Sequence, residues 1–285
     1  MLVSNIIFWR YDMYEKISLA GDLGSGKSTV SSILIEQLGA EYYSTGAIVR
    51  SVAEKMGMSV VELNVYMETH PEIDTEIDNR LIELGDEDKP LIIDSRMAWH
   101  FTKGTFKVYL TVDLETSALR IMNANRKGEH AHTLAETIAD TRGRRESEKK
   151  RYMTQYGVDI KDLTNYALVV DTTEATPIEV ANCIVSSFNE WQANRDFCRA
   201  YLSSARLSFP DDAADSELVE EYAGRLELGE ELPEIAVVES DGEFYIYSGA
   251  ESALAYSFCG STFVPCRIIK ADISGRSFVK MKNSL

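Results

Sequence analysis

The chain has 285 residues, 45% hydrophobic and 26% charged, with a formal net charge of −17. That length suits one large or two medium domains, and the mix suits a soluble globular protein. No apolar run approaches the roughly 20 residues of a membrane span, and the negative balance argues against sequence-independent binding of DNA or RNA, which needs a basic surface. The four cysteines, Cys183, Cys198, Cys259 and Cys266, show no C-x-x-C spacing. Neither a disulfide framework nor a zinc site is expected, and the expected setting is reducing and cytoplasmic. The charge is uneven: residues 211–239 hold eleven acids and one base, whereas residues 142–151 hold six bases and two acids. An acidic chain that concentrates arginine in one stretch aims it at a bound anion.

In chain order, residues 1–8 are apolar but short and lack a basic leader, so they read as an extension ahead of a domain that starts near Met13. Residues 16–20 predict a buried strand, and residues 27–38 a helix with Val30, Ile33, Leu34 and Leu38 on one face. A short strand over 40–43 and a helix over 46–56 follow. Ser59 and Glu62 have capping-box spacing, and Pro71 opens a helix that runs to about Leu84. Residues 90–94 and 107–112 predict strands, 115–126 and 134–156 helices, 166–170 a fifth strand, and Pro177 opens a helix toward Trp191. Alternating strands and helices predict an α/β fold with a five-stranded parallel sheet and flanking helices over residues 1–190. The pattern then changes. Residues 192–206 read as helical, 209–215 as a linker, and 216–226 and 250–259 as helices. Strands are predicted over 235–238, 244–247 and 264–269, with Asp241-Gly242 as a hairpin turn. Residues 191–285 therefore form a smaller α+β unit.

The chemistry starts at Gly21-Asp22-Leu23-Gly24-Ser25-Gly26-Lys27-Ser28, which fits G-x-x-x-x-G-K-[ST] between a strand and a helix. Gly21, Gly24 and Gly26 let backbone N–H groups curl around a phosphate, with Ser25 and Thr29 on the same loop and helix start. Lys27 neutralises β- and γ-phosphate oxygens, and the Ser28 hydroxyl is a Mg²⁺ ligand. Ser44-Thr45-Gly46 makes a small-residue turn that opens a helix, and Arg50 one turn on can grip a phosphate from the opposite side. Asp94-Ser95-Arg96 ends the third strand, where open α/β sheets bind ligands. Asp94 can hold Mg²⁺ through water and Arg96 can reach an acceptor phosphate. The blander alternatives are a capping Asp and solvated arginines. Arg126, Arg142, Arg144, Arg145 and Arg151 suit a mobile lid that delivers positive charge to a phosphoryl group in transit, although any one alone reads as a solvated helix face. His70, His100, His130 and His132 accompany no nucleophile or metal set and read as surface residues.

This order of motifs resembles the nucleoside monophosphate kinases, and within them the archaeal-type cytidylate kinases, over about residues 17–185. The more specific pieces are residues 71–80 (PEIDTEIDNR), 144–152 (RRESEKKRY), Tyr156-Gly157-Val158-Asp159-Ile160 and Val170-Asp171-Thr172. The resemblance implies MgATP as donor and CMP or dCMP as acceptor. It matches Lys27 and Ser28 to the loop lysine and magnesium hydroxyl, Arg50 and Arg96 to arginines on the acceptor phosphate, and Arg126 to a lid arginine. On the long helix one register picks Arg144 and Glu148, the other Arg142 and Glu146. Catalytic candidates are thus Lys27, Asp94, Arg126 and Arg144; acceptor-site candidates are Ser44, Gly46, Arg50, Arg96, Arg142 and Glu148. Ala47, Ser95 and Ala167 depart from the family pattern, which leaves the base open.

Residues 226–235 and 245–249 resemble a ParB/sulfiredoxin-type domain. Where that family places a phosphate-binding D-G-x-H-R, this chain has Ser248-Gly249-Ala250-Glu251-Ser252. Lacking the cations, the unit is expected to be a degenerate copy, dispensable for chemistry and kept for regulation, for docking a partner, or for forming a homo-oligomer. The alternatives to a cytidylate-type kinase are a nucleotide-binding sensor and a kinase of another small metabolite.

Overall fold

The structure is a computed structural model that describes residues 16–67, 69–124, 133–211 and 214–280. The apolar N-terminal stretch, Arg126, His130 and His132 lie outside them. The first half runs β1 (Lys16–Gly21), α1 (Lys27–Leu38), β2 (Glu41–Ser44), α2 (Thr45–Met56), α3 (Val60–Met67), α4 (Pro71–Asp86), β3 (Leu91–Asp94), the short α5 (Ala98–Phe101), β4 (Thr105–Thr111) and α6 (Leu114–Asn123). The long α7 (Leu134–Tyr156), β5 (Leu168–Asp171) and α8 (Pro177–Ala193) follow. Then come β6 (Arg199–Leu202), β7 (Leu207–Pro210), α9 (Ser216–Glu227), β8 (Ala236–Ser240), β9 (Glu243–Ser248), α10 (Ala250–Phe258), β10 (Val264–Ile268) and β11 (Phe278–Lys280).

Local chemistry sets most of these boundaries. Ser44 caps α2 by accepting from the Ala47 N–H, and Gly57 closes that helix in the left-handed region. Ser59 and Glu62 exchange hydrogen bonds of 3.1 and 2.7 Å ahead of α3. Thr133–Glu136 and Thr176–Glu179 form complete capping boxes on α7 and α8. In the Asp241-Gly242 turn both residues take positive φ, as a two-residue hairpin requires.

The strands order as β11-β7-β9-β8-β10-β6-β5-β4-β1-β3-β2, one eleven-stranded sheet among the described residues. The five expected strands are parallel neighbours. The sheet does not stop there: β6 pairs parallel with β5, and β10 pairs antiparallel with β6. Beyond the end of α8 at Ala193, residues 194–206 are therefore not an α-helix. Ala200 and Leu202 are buried while Arg199 is exposed and Tyr201 half-buried, a strand alternation, and Ser204–Arg206 is a 3-10 turn. The expected linker begins inside β7, whose Phe209 is buried. The open edge of β5 overrides local helix propensity by offering hydrogen bonds to whatever lies beside it.

The two largest hydrophobic clusters among the described residues pack against this sheet. One packs α1 and α8 residues, including Val30, Leu34, Val180, Ile184 and Phe188, against Ile17, Val108, Leu110 and Val170. The other joins Ala20, Trp99, Tyr109, Tyr166 and Val169 to Leu202, Phe209, Val237, Phe244 and Ile246. The pattern change near residue 190 is real in sequence, yet hydrophobic packing runs across it. No helix among the described residues is long and apolar enough to cross a membrane.

Candidate active site

At the carboxyl end of β1 the chain turns through Gly21, Gly24 and Gly26, all at positive φ. A Cβ on Gly21 would meet the Leu110 carbonyl oxygen at 2.5 Å, and one on Gly24 would meet the Ser117 carbonyl oxygen at 2.7 Å. Only glycine fits at these two points. The Ser25 hydroxyl donates to the Asp22 carbonyl at 2.8 Å, while Ser28 and Thr29 stay exposed at the start of α1. The Lys27 ammonium donates to the carbonyls of Gly21 (3.0 Å) and Asp22 (2.9 Å). Burial, helped by the neighbouring Arg96 guanidinium, pushes its pKa down to about 7.

Beside this loop lies a cavity of about 330 Å³, lined by Gly24, Ser25, Gly26 and Ser28 and by Arg120 and Thr172. Arg120 shapes it by donating to the Thr172 carbonyl at 2.6 Å and the Thr172 hydroxyl at 3.2 Å. A concave site of this size next to a phosphate loop suits the base and sugar of a nucleotide.

Across the mouth of the sheet, Asp94 and Arg96 leave the end of β3. Asp94 accepts from the Tyr42 hydroxyl at 2.9 Å. Arg96 donates to the Glu148 carboxylate at 2.9 Å and, from its other branch, to the Gly21 carbonyl. Although burial works against it, the Glu148 charge holds the Arg96 pKa above its ordinary value. Glu148 in turn is held below the usual carboxylate range: burial raises it, and Arg96 and Arg144 more than compensate. Of the two helix registers, the structure thus brings Arg144 and Glu148 to the site, while Arg142 and Glu146 are exposed. Arg50 is exposed on α2, its guanidinium 3.4 Å from where a Cβ on Gly46 would stand, with the capping Ser44 six residues before it. Arg126 lies outside the described residues.

Sequence reasoning missed a buried network under the loop. The Asp22 carboxylate accepts from the Tyr109 hydroxyl (2.9 Å), the Thr111 hydroxyl and the Val112 N–H (both 3.2 Å) and the Lys161 ammonium. Arg145 approaches to 3.9 Å. Burial alone would raise its pKa; Lys161 and Arg145 reverse that and hold it well below the carboxylate range. The only sequence signal for Lys161 is its place directly after the Tyr156–Ile160 motif. Missed too was a cluster where α3, α4 and α7 meet. Arg151 donates to Asn64 (3.1 Å) and to the Tyr152 hydroxyl (3.0 Å), and Tyr156 donates to Asp78. Asp74 is 5% exposed and its Oδ2 has no hydrogen-bond partner among the described residues.

The donor set for a cation is a hydroxyl, Ser28, and a carboxylate, Asp94. No group of three or more His, Cys, Asp or Glu suited to a metal occurs among the described residues. Hard oxygens in small number fit Mg²⁺, which keeps waters and takes its remaining ligands from phosphates.

A glycine loop with its lysine, a nucleotide-sized cavity and facing arginines at the carboxyl ends of a parallel sheet define a P-loop phosphotransferase. A family model described as AAA_18, an AAA domain, matches residues 17–153. Cytidylate kinase of Thermoplasma volcanium is 37% identical over 61% of this chain and 92% of its own length. Cytidylate kinase of Halobacterium salinarum is 33% identical over 68% of this chain and 99% of its own. An S-adenosylmethionine-dependent nucleotide dehydratase of Lacinutrix mariniflava is 37% identical over 64% of this chain, which spans only 37% of that longer protein. The chain belongs to the cytidylate kinase family.

Proposed function

We propose that the protein transfers the γ-phosphoryl group of MgATP to a nucleoside monophosphate, CMP or dCMP. The observation that carries this is a convergence: Lys27 and Arg96, one from the donor loop and one from the acceptor side, donate to the same Gly21 carbonyl. An anion that displaces this carbonyl meets both cations at once. Lys27 serves the β- and γ-oxygens. Arg96 and Arg50 serve the acceptor phosphate, oriented by the Ser44-Gly46 turn. Ser28, with Asp94 through water, would hold Mg²⁺, which when bound draws charge off the β- and γ-oxygens. Arg144, and Arg126 from the adjoining stretch, add positive charge over the moving group; Arg142 belongs to the same helix but faces outward. The acceptor phosphate is already ionised at neutral pH, so positioning and electrostatics suffice without a general base.

The 33–37% identity to two cytidylate kinases supports the pyrimidine acceptor. The residues assigned to phosphate contact all lie within residues 1–190, and residues 191–285 form the α+β extension, which continues the same sheet. The four cysteines, all free, suit a reducing cytoplasmic setting. Leu228 (79% exposed) and Phe258 (66%) at the ends of α9 and α10 offer apolar area to a second copy or a partner. A coupled ADP assay across all ribo- and deoxyribonucleoside monophosphates tests the acceptor. ADP formation should require CMP or dCMP; ADP formation indifferent to every monophosphate overturns the reading.

A further inference from the structure

The archaeal relatives are spanned almost end to end by 61–68% of this chain, so the remainder needs its own explanation. The buried residue Arg206, in the turn between β6 and β7, supplies one. Its guanidinium donates to Asp171 Oδ1 at 3.3 Å and to the Thr111 hydroxyl at 3.2 Å, and its other nitrogen donates to the Gly242 carbonyl. The group also lies 4.8 Å from the centre of the Phe244 ring. Side-chain exposures are 7% for Arg206 and 0% for Asp171. Thr111 and Asp171 end β4 and β5; α6, which carries the cavity-lining Arg120, follows the first, and the cavity-lining Thr172 follows the second directly.

Each partner passes the contact on. Thr111 donates to the Asp22 carboxylate inside the phosphate loop. Asp171 accepts from the Thr173 N–H (3.0 Å) and hydroxyl (2.6 Å), and Thr173 accepts from the Asp113 N–H at 3.1 Å. The Thr172 and Thr173 carbonyls are those that Arg120 holds at the cavity wall. The far Asp171 oxygen accepts from the Ser203 N–H at 3.2 Å, again from the C-terminal part.

We infer that Arg206 is a positioning residue for the donor nucleotide, and that the C-terminal segment completes the donor site rather than standing beside it. The inference rests on the kinase reading only in naming MgATP as the ligand. A buried arginine that bridges two strand ends fixes their spacing, and the loop and cavity wall inherit it. Without it Asp171 is a buried carboxylate that has lost the cation bonded to it and keeps only the more distant charge of Arg120, so the surrounding loop must rearrange to hydrate it. This contradicts the sequence-based expectation that the extension is dispensable.

The test measures MgATP binding by calorimetry on the full chain, alongside the Michaelis constants for ATP and for the monophosphate. Arg206→Met should weaken MgATP about tenfold or more while the monophosphate constant moves less than about twofold. If Arg206→Met does not fold, Arg206→Lys decides: it keeps the charge but one ammonium cannot reach Asp171, Thr111 and the Gly242 carbonyl together. It should weaken MgATP about threefold or more with the same selectivity. Unchanged MgATP affinity in a folded variant, or equal losses for both substrates, overturns the proposal. A wild-type chain that binds MgATP but phosphorylates no monophosphate sinks the transfer reading and leaves this one standing; a wild type that binds no nucleotide sinks both.

Discussion

The donor and acceptor sides of the cleft are built differently. On the donor side the groups beneath the loop are mostly bonded, although Asp113 Oδ2 and two Arg145 nitrogens lack hydrogen-bond partners among the described residues: Asp22 has four hydrogen-bond donors, Arg120 is bonded to the Thr172 and Thr173 carbonyls, and Asp171 is bridged by Arg206. On the acceptor side Arg50 is exposed, and Asp74 Oδ2 and Arg151 Nε in the α3–α4–α7 cluster, whose Arg151 acts electrostatically on Glu148, and the Tyr43 hydroxyl of β2 lack hydrogen-bond partners among the described residues. A side that grips a polyphosphate profits from rigid, prepaid geometry. A side that must admit a second substrate keeps hydrogen-bonding capacity in reserve for it.

The contrast breaks first at Lys27. Replacing it with alanine should lower turnover by roughly a thousandfold, because it removes a fixed charge from the oxygens where negative charge shifts. A loss under tenfold in steady-state assays would undo the donor-side assignment. The same lysine gives a pH signature. With its pKa near 7 in the free protein it is mostly neutral at pH 8. A bound polyphosphate favours the charged form, so binding at pH 8 should take up a proton, and at pH 6 should not. Calorimetry in buffers of differing ionisation enthalpy reads this directly.

Arg50→Ala sharpens the comparison from the other side. It should raise the monophosphate Michaelis constant about tenfold or more, through loss of charge-assisted hydrogen bonds, and leave that for ATP nearly unchanged. A rise for ATP instead would place Arg50 on the donor side. The smallest effect should come from Asp78, whose pKa burial pushes up to about 6. A carboxyl with a raised folded pKa binds its proton longer when folded than when unfolded. Stability therefore falls as pH climbs from about 4 to 6, and the penalty persists above. Asp78→Asn should raise the melting temperature by about one to three degrees at pH 7 and not at all near pH 4. A uniform shift at both pH values would show that packing, not charge, is responsible.

What was legible in the sequence was local. The glycine loop, its flanking strand and helix, the capping boxes and the order of arginines all lie within short windows, where spacing carries the chemistry. Arg96 was readable from its strand end, but not its grip on Glu148, 52 positions away. Lys161 reaches Asp22 across 139 positions and was invisible. The stretch around β6 failed for a related reason. Its composition permits a helix, and only the unpaired edge of β5, formed by distant residues, makes it a strand. Arg206 was missed inside that misread stretch, because a buried arginine and a solvated one look alike until the carboxylate beside it is known.

The continuity of the sheet also sets a timetable. On the ribosome β5 is complete at Asp171, yet β6 cannot settle between β5 and β10 until Val264–Ile268 have been made. At about 5–20 residues per second, the hundred or so intervening residues take on the order of 5–20 s. During that interval the nascent chain shows a strand edge and half of an apolar core to its surroundings. The chain is thus one whose active centre is finished late, and whose synthesis passes through a period when chaperones have most to cover.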